Sequence, residues 1–225
     1  MKVPWLSKVS ISESADQLMT DYSEMIGEQL QPPIPVEDMI SRHLDLGLRT
    51  VEYDAVAGME DVLGATYVPK RLICINKKLT NDANKGRLYF TLAHEVGHWI
   101  LHRPLLKAAK RLAKDTPQIL CRSSDAKAPI EWQADYFAAC LLMPELAVRE
   151  AFHRAFGMER IEIFNTEGCS GPLYYDPCCA TNWHYIAGDV IRVGGFTNTS
   201  KHSMMIRLKD LGLIENQTRQ AMGWQ

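Results

Sequence analysis

The chain has 225 residues, 46% apolar and 23% charged, with a formal net charge of −2, which excludes a global electrostatic pull toward nucleic acid or anionic lipid. No apolar stretch approaches the ~20 residues needed to span a bilayer, and residues 1–8 lack the apolar run of a signal peptide. The six cysteines are therefore expected as reduced thiols, and the protein is expected in the cytoplasm.

Residues 12–30 carry Leu18, Tyr22, Met25, Ile26 and Leu30 at helical spacing, with Ser14 and Gln17 as a capping box. Pro32, Pro33 and Pro35 break that helix and mark a linker. A second helix is predicted over 35–46, with Met39, Ile40 and Leu44 inward and Gly47 as its stop. Strands are predicted over 48–53, 65–68 and 72–76, the last two joined through Pro69, which suggests a turn or an edge. One of these strands is a candidate rim for an active cleft, able to pair with an extended peptide.

The next helix starts near 84–86 and is predicted to end around 102–104. It carries His94-Glu95-Val96-Gly97-His98, an H-E-x-x-H motif. On a helix His94 and His98 lie one turn apart, so both imidazoles leave one face and can share a metal ion. Glu95 sits about 100° round the helix, placed to handle a water rather than to act as a ligand. His102 follows by a further turn, but its angular drift from His94 gives it a structural role. Residues 103–127 are basic, starting as an amphipathic helix; a solvated face is the default reading and steering of an acidic partner the alternative.

A helix over 131–143 stops at Pro144, with Glu131 and Asp135 on one face and Phe137, Ala138, Leu141 and Leu142 on the buried one. Two carboxylates a turn apart repel unless a cation compensates, which is a physical reason to pair this helix with the one bearing His94 and His98. A catalytic zinc takes three protein ligands, and His94, His98 and Glu131 complete that set. Glu95 is then the general base, and Asp135 the carboxylate that fixes the tautomer of a ligand imidazole, His94. Beyond Pro144 the helical pattern continues to about Phe156. Residues 165–189 turn rich in Gly, Pro, Cys and aromatics, and 190–193 is predicted as a strand. Cys169, Cys178, Cys179 and His184 could form a second metal set, although the adjacent cysteine pair lacks the usual spacing and core or loop cysteines are the better reading. Tyr174, Tyr175 and His184 are candidate oxyanion stabilisers. A last helix over 204–211 is predicted with Met205, Leu208 and Leu211 on one face, Gly212 as its stop, and a polar tail from Asn216.

The run from Arg87 to His98, and then Glu131-x-x-Ala134-Asp135-x-Phe137-Ala138 leading to Leu142-Met143-Pro144, resembles the ImmA/IrrE family of metallopeptidases. Weaker support comes from Ile73-Cys74-Ile75-Asn76 and from Arg207-Leu208-x-x-Leu211-Gly212, so the resemblance spans about 35–214. It implies a gluzincin-like α+β zincin fold, a small mixed or antiparallel sheet packed on the H-E-x-x-H helix and a second helix with E-x-x-x-D. It also implies Zn2+ on His94, His98 and Glu131, and site-specific proteolysis of transcriptional repressors, often of the helix-turn-helix type. The cysteine-bearing stretch is not a feature of that family. The expected organisation is an N-terminal helical extension (1–34), a peptidase core (35–160) and a C-terminal segment with a short helix (161–225). The alternative is a non-proteolytic regulator, using the same fold to bind protein or DNA as a toxin–antitoxin or stress-response partner.

Overall fold

A computed structural model describes residues 3–55, 58–108, 119–122, 128–164 and 179–217. The chain divides into two units, 1–142 and 143–225.

In the first unit, helix α1 (Lys8–Ile26) starts at Ser7, whose hydroxyl accepts the Ser10 N–H, and ends at Gly27, with a φ of 71°. Ile11, Ala15, Leu18 and Tyr22 form its buried stripe. The predicted start was thus too late. Ser14 donates to the Ser10 carbonyl inside the helix, and Gln17 bonds Asp21, so these two residues make no cap. Helix α2 (Val36–Asp38) widens into a π turn over Met39–His43 with Met39 and Ile40 buried. Leu44 is only half-buried and Leu46 takes the core position; the reversal falls on Asp45 with a positive φ, not on Gly47.

Gly47 instead opens strand β1 (Gly47–Val51), followed by β2 (Val62–Tyr67) and β3 (Leu72–Asn76). Pro69 occupies the 3-10 turn between β2 and β3, as a residue without an N–H allows. Helix α3 (Lys85–Gly97) does not end near residue 102. It passes through a π turn, His98–His102, into α4 (Arg103–Ala108). Strand β4 (Ile119–Arg122) completes a mixed sheet of order β1-β3-β2-β4, with β1 parallel to β3 and the other pairs antiparallel. Helix α5 (Pro129–Leu142) packs along α3, and α1 packs on α5. Residues 91–97 are all buried because α3 lies between the sheet, through β2, and α5. This is the α+β arrangement expected of a zincin.

The second unit holds α6 (Glu145–Phe156), β5 (Ile161–Ile163), α7 (Trp183–Gly194), α8 (Lys201–Asp210) and β6 (Ile214–Asn216), with β5 parallel to β6. Residues 190–193, predicted as a strand, are the last turn of α7. Ile186, Ala187 and Val190 bury one helical face, and that packing overrides the β-branched propensity of Val190, Ile191 and Val193. On α8 the buried residues are Met204, Arg207 and Leu208 rather than the expected Met205 and Leu211. Buried Arg207 is satisfied by the Met143 carbonyl and by Asp210. Among the described residues no helix is long and apolar enough to cross a membrane.

Candidate metal centre

The site begins with the closeness of two helices. A Cβ on Gly97 would stand 3.2 Å from the Ala134 Cα and carbonyl oxygen and from Phe137, so α3 and α5 meet where only a glycine fits comfortably. That contact brings Glu131, at the start of α5, to the histidine face of α3. His94 Nε2 lies 3.1 Å from Glu131 Oε2, His98 Nε2 lies 2.9 Å from His94 Nε2, and His98 Nε2 lies 3.5 Å from Glu131 Oε2. All three residues are buried. Among the described residues they are the one group of this kind whose donor atoms converge closely enough to hold a metal ion.

Burial, the strongest influence, pulls the His98 ring down to about 4 despite Glu131 beside it, so the ring is neutral near pH 7. Burial pushes the Glu131 carboxyl up, but the His94 and His98 rings beside it lower it further, so the group is ionised near pH 7. A neutral imidazole and an ionised carboxylate are the forms that ligate metals. On the far side of His94, Nδ1 meets Asp135 Oδ1 at 2.8 Å; the carboxylate accepts that proton, leaving a lone pair on Nε2. Electron pairs crowded this closely repel one another unless a positive charge sits among them. The donor set therefore fits a metal ion.

Glu95 faces the sheet, fully buried. Thr66 of β2 donates its hydroxyl to Oε2 at 2.6 Å, while Oε1 has no hydrogen-bond partner among the described residues. Burial drives its pKa up to about 7, more than Thr66 and His94 lower it. Gly64, also on β2, leaves the space: a Cβ there would lie 2.6 Å from Glu95 Oε1 and 2.9 Å from Thr91.

The family model for the IrrE N-terminal-like domain, Peptidase M78, matches residues 44–165. The chain belongs to this peptidase family. The match covers both helices of the site and all four strands of the sheet, and no curated protein matches the chain.

Within this M78 chain the structure adds partners that the sequence did not reveal. His102, given a structural role, sits with Nδ1 3.0 Å from His98 Nδ1 and Nε2 2.9 Å from Gln133 Oε1. Thr66, Gly64 and Gln133 carry no motif: Gly64 and Thr66 stand two apart in an apolar strand, and Gln133 lies between Trp132 and Ala134, so neither stretch signalled a distant partner. Of the proposed second metal set and oxyanion candidates, Cys179 is buried and His184 is exposed with its ring against Tyr185. Cys169, Cys178, Tyr174 and Tyr175 lie outside the described residues, as does most of the basic 103–127 segment. Arg103 of that segment is described, its guanidinium 4.9 Å over the Trp99 ring.

Proposed function

We propose that the chain is a zinc-dependent endopeptidase of narrow specificity, cleaving a cytoplasmic regulatory protein, a helix-turn-helix repressor being the expected class. The observation that carries this reading is the convergence of the His94, His98 and Glu131 donor atoms beside a buried Glu95 whose Oε1 is not already engaged. His94, His98 and Glu131 would hold the ion. Bound zinc supplies Lewis acidity, polarising a carbonyl and making water acidic enough to attack near pH 7. Glu95 takes the proton of the attacking water at Oε1 and returns it to the leaving amine. Thr66 holds the other carboxylate oxygen, so the base stays oriented through both transfers. Asp135 keeps the Nδ1 proton of His94 in place and so keeps Nε2 available.

The test is a comparison of the native chain with Glu95→Gln, expressed in turn in the same cells. The variant should bind one zinc per chain, yet lose cleavage by about 100-fold or more. Mapping of new protein N-termini should then find cuts in one or a few regulatory proteins with the native chain alone. Identical termini from both chains would rule out a Glu95-dependent protease and favour action by binding.

A further inference from the structure

His94 and His98 are held by different means. Asp135, a half-exposed carboxylate, backs His94, whereas His98 is backed by a buried chain of neutral groups that runs to the N-terminal segment. The proton order along that chain can be worked out from its far end. The Pro4 carbonyl oxygen can only accept, so the Gln133 group 2.9 Å from it must be the Nε2 amide, which donates. Gln133 Oε1 therefore faces His102 Nε2, and the 2.9 Å contact requires the proton on His102 Nε2. In a neutral ring this leaves His102 Nδ1 as an acceptor. His98 Nδ1, 3.0 Å away, must then donate, which puts the lone pair of His98 on Nε2. That is the atom facing His94 and Glu131. His98, His102 and Gln133 are each 0% exposed, which keeps bulk water from supplying another partner.

The end of the chain is itself pinned. Trp5, next to Pro4, stacks on Trp132 at 5.4 Å with the rings 8° from parallel, and Trp132 stacks on Tyr136. Lys8 lies 5.2 Å over the Tyr136 ring, adding a cation–π contact. Trp132 stands between Glu131 and Gln133 in sequence, so the stacking registers Pro4 against the same helical turn that supplies a ligand.

We propose that Pro4, Gln133 and His102 form a hydrogen-bond relay of fixed polarity that presents His98 Nε2 as a lone pair, making the N-terminal segment part of the metal site. His102 and Gln133 are positioning residues in this scheme, acting on the ion only through His98. The relay rests on the metal-site reading above, but its proton order is measurable without metal.

The experiment compares full-length native chain with His102→Leu and His102→Gln. Glutamine can accept from His98 Nδ1 and still donate toward Gln133, so it preserves the polarity; leucine cannot. Competition with a chelator should show zinc binding weakened about 10–100-fold in His102→Leu and largely restored in His102→Gln. Long-range proton–nitrogen NMR of the metal-free native chain should show His98 protonated on Nδ1 and His102 on Nε2. The relay is overturned if His102→Leu binds zinc as tightly as the native chain, if His102→Gln is as weak as His102→Leu, or if His98 carries its proton on Nε2. If the native chain binds no zinc, the metal reading fails and the ring spectrum alone decides the relay. The same spectrum decides it if the leucine variant does not fold.

Discussion

Glu95 is where burial and chemistry pull hardest against each other. A carboxylate with one hydrogen bond and no contact with water is costly to ionise, so its pKa rises to about 7 from the usual 4.5. Because the folded value lies above the unfolded one, its contribution to stability is complete below about 4.5 and is lost as pH climbs through about 7. Glu95→Gln has no such titration. Urea melts of the chelator-treated proteins should therefore show the variant gaining on the native chain by about 3 kcal/mol across that window, then levelling. His98 titrates in the opposite sense, its depressed value adding stability as pH rises from about 4, but it does so in both proteins and cancels in the comparison. A difference that stays flat with pH would mean that Glu95 is not desolvated. The thermodynamic strain has a use in the proposed chemistry: a base with a pKa near 7 can both take a proton and give it back at neutral pH.

At the scale of elements, the site depends on how closely α3 and α5 approach. Gly97→Ala tests this. Alanine favours a helix by about 1 kcal/mol over glycine, while forcing an extra methyl into a tight contact costs about 1–3 kcal/mol. The net is a loss of about 0–2 kcal/mol, so melting should fall by up to roughly 8 °C while the chain still folds. The displacement nevertheless falls on the Ala134 backbone, one turn from Glu131, and shifts that proposed ligand. Zinc affinity should drop several-fold in a chelator competition while the fold persists; unchanged affinity would show that the helix spacing does not set the site. Strand β2 acts on the same scale. Its Thr66 supplies a donor and its Gly64 supplies space, two residues apart and so on one face of the strand.

For the whole molecule, the proposed ligands all lie in the first unit, on α3, the π turn after it, and α5. An ion that binds the folded chain and not the unfolded one stabilises by mass action, about 4 kcal/mol at a thousand times its dissociation constant. Calorimetry with zinc against calorimetry with chelator should show a melting temperature higher by about 10 °C with metal. Amide exchange should slow most in α3 and α5 and least in α7 and α8, which carry none of the ligands. Equal protection of both units would place the stabilising metal elsewhere.

What the sequence determined by itself was the chemistry that follows from one helical period. Residues four apart share a helix face wherever that helix goes, so His94 with His98 and Glu131 with Asp135 were readable without a fold, as was strand β3 to the residue. Tertiary structure decided whatever depends on a neighbour distant in the chain. Thr66 is 29 residues from Glu95, and Pro4 is 129 residues from Gln133, and no local pattern ties such pairs. The same reason explains the misread segment at 190–193, where three β-branched residues favour a strand locally but the apolar face they complete is helical. Local periodicity fixes which side chains point together. Only packing fixes what they meet, and here that includes the Thr66 hydroxyl on Glu95 and the His102 and Gln133 contacts behind His98.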